Sequence, residues 1–282
     1  MRIKAILILM AAFGIGSVAE AQTVFSGSGS TTTQAVTDFR NATGVLNTNV
    51  AGSFGTGRRE INWDGVPDSF AAPNNLPSNF FNVNSPRGVV FSTPGTGFQV
   101  SANAFNVSGA PIEFGNINPT YPQLFTTFTP QRLFTAIGSN IVDVNFFIPG
   151  TNTSAFVTGF GAVFTDIDLA GSTSLTFFGA NNLLLGTWDA PSITGNETLS
   201  FLGVLFGDPI VSRVRITSGN AALGVNESGN IDLVVMDDFM FGEPTLAAAV
   251  PEPASWAMML IGFGAIGFSM RRKGRSTALR LG

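Results

Sequence analysis

Residues 231–241 read Ile-Asp-Leu-Val-Val-Met-Asp-Asp-Phe-Met-Phe. The run has no Gly or Pro, and β-branched, long aliphatic and aromatic side chains dominate it, which predicts the longest strand of the chain. In a regular strand the odd positions Ile231, Leu233, Val235, Asp237, Phe239 and Phe241 share one face. Upstream, Val214 and Ile216 alternate with Arg213, Arg215 and Thr217, as in a half-buried strand. Residues 156–164 place Phe156, Phe160, Ala162 and Phe164 on one face. Residues 175–185 read as a hairpin around Gly179-Ala180-Asn181-Asn182. Short strands separated by Gly, Asn and Pro, with no helical period between them, define a mainly β chain, and the expected architecture is a jelly-roll-like β-sandwich. No internal repeat points to a propeller or a β-helix.

Asp237 stands out in that strand, because regular geometry sets a carboxylate among five hydrophobes. Such a group must be protonated, hydrogen-bonded, paired with an arginine or bound to a cation. Arg213 and Arg215 are candidate partners. Ca²⁺ is a candidate cofactor, since it takes oxygen ligands alone. Asp166 and Asp168 lie just past Phe164 on one face, so Asp166, Asp168, Asp237 and Asp238 are the candidate metal ligands. The plainer reading puts Asp237 on a β-bulge or an edge, bonded to backbone amides. Asp64 and Asp68 bracket Gly65-Val66-Pro67, which is turn chemistry first. Trp63 and Trp188 are the candidate ligand contacts, because flat indoles stack on sugar rings, although a lone Trp in a sandwich more often packs in the core.

Composition removes whole classes of function. The 282 residues contain no Cys and no His, a single Tyr and 27 Phe. Thiolate nucleophiles, disulfides, zinc fingers, imidazole bases and Ser-His-Asp triads are therefore absent, and only carboxylate catalysis is open. No catalytic residue is assigned and the chain is read as a non-enzyme. Residues 22–249 carry seven Arg, no Lys and 16 acids, for a charge near −9. That field repels nucleic acid. Surfaces solvated by Asn, Ser, Thr and Gly suit strands and turns better than helices. Residues 22–57 open as a polar segment of low complexity. A short helix is expected over residues 33–43, with Val36 and Phe39 on one face and Gly44 as the stop.

The two ends read as addresses. Met1-Arg2-Ile3-Lys4, the uncharged stretch 5–18 and Ala19-Glu20-Ala21 have the three parts of a secretory signal peptide over 1–21. Small residues at Ala19 and Ala21 suit signal peptidase, which leaves Gln22 as the new N-terminus. At the other end, residues 254–270 carry no charge, and 17 residues make a helix of ~25 Å. Arg271, Arg272, Lys273 and Arg275 follow as a membrane stop that stays in the cytoplasm with the tail 276–282. Gly262-x-Gly264-x-x-Gly267 matches a dinucleotide fingerprint in letters only, since it sits within the span expected over 254–270 and not between the strand and helix of a βαβ unit.

Val250-Pro251-Glu252-Pro253, Ala254-Ser255-Trp256-Ala257, the Gly-rich span 262–267 and Arg271-Arg272-Lys273 together resemble the PEP-CTERM sorting signal of Gram-negative bacteria. The resemblance covers residues 250–275 and implies processing by an exosortase that recognises Pro251, Glu252 and Pro253. Two prolines deny that strip a helix and leave it extended for an enzyme to grip. It also implies export across the inner membrane as a single-pass precursor, and then a cell-surface or extracellular place among exopolysaccharide. Residues 234–239 are similar to the closing strand of lectin-like and adhesion sandwiches. Arg58-Arg59-Glu60-Ile61-Asn62-Trp63-Asp64-Gly65-Val66-Pro67 is similar to a block found in exported proteins with this tail.

These features lead to an exported, non-catalytic β-sandwich that binds polysaccharide or a matrix partner. The alternatives are a secreted carboxylate-based glycoside hydrolase and a self-associating adhesive matrix protein.

Overall fold

The computed structural model describes residues 22–105, 109–246 and 258–267. The chain divides into two compact units after Ala247. In the first, strands β1 (Gln22–Ser28), β2 (Arg58–Ile61), β3 (Val89–Ser92), β4 (Gly97–Val100), β5 (Phe134–Ile137) and β6 (Ile141–Phe146) precede β7 (Gly159–Thr165), β8 (Ser174–Phe178) and β9 (Leu184–Asp189). Strands β10 (Leu199–Phe206), β11 (Arg213–Thr217) and β12 (Val235–Gly242) complete the set, with helices α1 (Thr32–Thr43) and α2 (Phe80–Val83) between the early strands.

Two antiparallel sheets form a β-sandwich. The larger has seven strands in the order β1-β10-β7-β12-β5-β4, with β2 on the end of β12, and the smaller runs β3-β6-β11-β8-β9. From β5 onward the chain changes sheet at every connection except the β8–β9 hairpin. Apolar side chains from both inner faces meet in one core. Trp63 lies at its centre, stacked on Phe134 at 4.1 Å and 3° and met edge-on by Phe81 and Phe239.

The outer face of the large sheet is covered as well. Val36 and Phe39 of α1 pack on Val163, Phe201 and Met240. Gly161 and Gly203 sit opposite each other on β7 and β10. A Cβ at Gly203 would come within 2.7 Å of the Phe39 ring, so the missing side chain lets the helix lie flat on the sheet. The helix stops at Gly44, whose φ of 106° a residue with a side chain rarely adopts. Near the start of β12 a third cluster joins Phe114, Tyr121, Phe125 and Leu133 to Leu233 and Val235. The outer face of the small sheet stays wet, and β6, β8 and β11 alternate between buried and half-buried positions.

Two expectations change. The strand expected from Phe156 starts at Gly159, because the chain is still crossing between sheets, where Phe156 bridges Thr245 and Val157 bridges Val211. The polar segment 22–57 contributes an edge strand, β1, held to β10 by the backbone ladder. Residues 80–83 form a second short helix.

In the second unit residues 258–267 are helical and exposed. The glycine fingerprint at 262–267 lies inside that helix. Among the described residues no helix is long and apolar enough to cross a membrane. The rest of the span expected over 254–270 lies outside the described residues, as do the signal peptide 1–21, Pro251, Glu252, Pro253, Arg271, Arg272, Lys273, Arg275 and the tail 276–282.

Candidate functional site

Asp237 and Asp238 sit on a β-bulge. Met236 pairs with Phe164 and Phe239 with Ala162, so two residues of β12 oppose Val163 alone. The bulge switches the alternation. Val234 and Met236 face the sandwich core before it, and Phe239 and Phe241 after it. The odd positions of 231–241 therefore do not share a face, and Asp237 is not set among five hydrophobes. Its Oδ2 accepts the backbone N–H groups of Phe128 at 2.5 Å and Thr129 at 3.3 Å. Asp238 accepts the Thr129 hydroxyl at 2.7 Å and Arg40 Nη2 at 3.2 Å. Both carboxylates are buried. Burial, and then the charge of Asp238, push Asp237 up to about 9, so it keeps its proton at neutral pH and shares it with Asp238. The arginine serving this pair is Arg40. Arg213 and Arg215, the expected partners, lie on the other sheet and both bind Asp143.

The block from Arg58 to Pro67 is structural. Arg59 Nε and Nη2 grip Glu243 at 2.9 Å each, and both side chains are buried. Arg59 also donates to the carbonyls of Val50, Gly52 and Pro86, and Glu243 accepts from Asn47 and the Phe54 amide. Arg40 and Arg58 both hold Glu60. Asp64 accepts the backbone N–H groups of Gln131 and Arg132, and Asp68 pairs with Arg132. Trp63 is core, 1% exposed, and its Nε1 donates to the Asp237 carbonyl at 2.8 Å, so it is no sugar platform. Trp188 is half-buried on edge strand β9 and packs edge-on against Phe177. A cleft of about 490 Å³ opens at this end between Thr43, Gly57, Thr158, Phe206 and Glu243. Its acid is the one already neutralised by Arg59.

The opposite end of β12 is different. Asp232 accepts the N–H groups of Asp168 and Leu169 and the Ser172 hydroxyl. Asp168 accepts the Gly195 amide at 2.7 Å, and Glu227 the Leu233 amide at 3.4 Å. Asp166, in the left-handed region at φ 72°, is fully buried, and neither of its carboxylate oxygens meets a donor. Burial first, then the charges of Glu227 and Asp168, push it up to about 8. Glu113 is raised to about 7 by burial and by Glu197. The structure thus keeps Asp166 and Asp168 together, adds Glu227 and Asp232, and gives Asp237 and Asp238 a separate set of partners. Among the described residues no set of three or more His, Cys, Asp or Glu is arranged around a common metal position. The sequence signal for the added pair is faint: an oxygen-rich loop, Asn226-Glu227-Ser228-Gly229-Asn230, just before the long strand.

These features describe a two-sheet β protein whose buried acids brace the fold, followed by a separate C-terminal unit. Residues 249–273 match the PEP-CTERM protein-sorting motif, and the chain carries that motif. Such a motif marks an exported protein with an exosortase as its processing partner. No curated protein matches the chain. Among solved structures, a glycoside hydrolase family 43 arabinoxylan arabinofuranohydrolase from Bacillus subtilis, in complex with cellotetraose, is similar at 18% identity over 42% of this chain and 23% of that one. The TM-score is 0.26, and a likeness of that size carries no argument.

Proposed function

We propose that residues 22–249 are delivered to the cell surface or extracellular matrix as a non-catalytic binding or structural module associated with exopolysaccharide. The observation that carries this reading is the sorting motif at 249–273. In this reading signal peptidase cuts after Ala21 and the precursor is held in the inner membrane by a single helix over 254–270. Arg271, Arg272, Lys273 and Arg275 stay in the cytoplasm. The exosortase then acts at Pro251-Glu252-Pro253. The jelly-roll assignment is supported by strand order, since β5-β12-β7-β10 opposite β6-β11-β8-β9 is the pattern of two interleaved Greek keys. The non-catalytic assignment is supported by the acids themselves. Asp237 and Asp238 are sealed from solvent, and the acid of the cleft is held by Arg59.

Expression of internally tagged protein in its native host tests the sorting. The expected product lacks both ends and lies outside the inner membrane. Replacing Pro251, Glu252 and Pro253 by Ala leaves the tail attached and the protein in the membrane fraction. Intact protein in the cytosol, with neither end removed, overturns the reading. For the polysaccharide association, enzymatic digestion of the surface polymer is expected to release the processed protein.

A further inference from the structure

Asp166, Asp168, Glu227 and Asp232 gather among the loops at one end of the sandwich, through the contacts and like-charge couplings described above. None of them takes part in the ion pairs formed among the described residues, which use Glu60, Asp68, Asp143, Asp238 and Glu243. Asp166 is the anomaly within the group. It is fully buried, no backbone or hydroxyl donor reaches either carboxylate oxygen, and the charge that acts on it most strongly is that of another carboxylate, Glu227, with which it can share a proton. Buried carboxylates are normally hydrogen-bonded, paired or metal-bound. A proton would neutralise one of the acids here. Asp168 and Asp232 lie close by, each bonded to backbone amides. A divalent ion would neutralise two acids at once.

We infer that Asp166 and Glu227 hold a hard divalent cation of the calcium class, which pins the loop carrying Glu227 to the end of β7. The donor set is oxygen only, in a chain without His or Cys, and this selects Ca²⁺ over zinc-like metals. Ca²⁺ takes about six to eight oxygens, and backbone carbonyls and water complete what two carboxylates begin. The inference does not rest on sorting or on polysaccharide, because it is read on the purified chain.

Tyr121 supplies the probe. It is the only tyrosine of the chain, its hydroxyl donates to the Val225 carbonyl at 2.8 Å and accepts the Gly224 amide at 2.7 Å, and it feels the charge of Glu227. The full chain, purified in detergent and stripped with EDTA, is titrated with Tb³⁺. The expected result is sensitised emission that Ca²⁺ displaces and that is lost in Asp166→Asn and in Glu227→Gln. Ca²⁺ in place of EDTA raises the melting temperature of the parent and leaves both variants unmoved. Glu227 is only half-buried, so Glu227→Gln keeps the test informative if Asp166→Asn does not fold. Tyr121→Phe is expected to lose the emission and keep the calcium-dependent melting shift. Emission no stronger than in the variants, together with equal melting temperatures in Ca²⁺ and EDTA, means that the two acids share only a proton and overturns the site. Emission undiminished in Asp166→Asn and Glu227→Gln places the ion elsewhere and overturns it too.

Discussion

The closing strand β12 ends in two different electrostatic worlds, about 25 Å apart at ~3.3 Å per residue. Beyond Gly242, Glu243 is locked by Arg59 and by two further donors, Asn47 and the Phe54 amide, from the loop before β2. Before Val235, Asp232 is held by amides, and Asp166 close by has no donor at all. Both ends bury carboxylates. One compensates with guanidinium; the other offers amides to Asp168 and Asp232 and nothing but like charge to Asp166. Burial by itself therefore says little about what an acid does, and the partner decides. The first end is a brace for the fold, because every oxygen of Glu243 is used. The second has unspent ligand capacity.

The largest effect is expected at the braced end. Glu243→Gln leaves the Arg59 guanidinium buried without its counter-charge, and breaking such a pair typically costs about 3–5 kcal/mol. Denaturant unfolding of the variant should show the midpoint fall with an unchanged slope. A loss below ~1 kcal/mol would mean that the pair is not the brace described here.

How much of this was legible in the sequence depended on which faces meet water. The alternation in Arg213–Thr217 was readable because the outer face of the small sheet is solvated, and the structure buries Val214 and Ile216 as that pattern implies. The hairpin near residue 180 was readable because Asn181 and Asn182 tolerate the left-handed backbone found there, at φ 54° and 58°. Helix α1 was readable from Val36, Phe39 and the stop at Gly44. In the large sheet the same logic failed. Strands β7 and β12 are buried on both faces, so apolar residues fill odd and even positions alike, and period two carries no register. The bulge at Asp237 was one of two readings open at that point, and only pairing with β7 decides between them. The Asp166–Glu227 contact joins residues far apart in the chain, and no local pattern encodes it. The sorting tail was legible because its parts are consecutive.

A middle-sized effect is expected at the bulge, and it depends on pH. Asp237 is raised to about 9 in the fold, against about 3.9 for an unfolded Asp. Below pH ~4 both states are protonated and the group contributes its full stability. From there up to about 9 the unfolded chain releases a proton that the folded one keeps, so stability falls as pH rises. Asp237→Asn keeps an oxygen for the Phe128 and Thr129 amides and has nothing to ionise. Its melting temperature should fall less than the parent's between pH 6 and pH 7, a difference of about 1 kcal/mol over that unit. Parallel profiles for the two proteins would show that Asp237 is ionised in the fold.

The smallest effect is expected on the wet face of the small sheet, and its pH dependence has the opposite sign. Burial alone would raise Asp143, but Arg215 and Arg213 outweigh it and hold the carboxyl below its ordinary value. The contribution is present above the unfolded pKa and is lost as acid takes the pH down through the folded one. Arg215 is largely open to solvent, which screens the pair, and exposed pairs are worth about 1 kcal/mol or less. Asp143→Asn should therefore cost ~1 kcal/mol at neutral pH and low salt, shrink further in molar salt, and lose its cost as acid takes the pH down through the folded pKa. Thermal melts across salt and pH check each arm. A loss as large as that of Glu243→Gln, unmoved by salt, would erase the difference between a brace inside the sandwich and a polar tie on its surface.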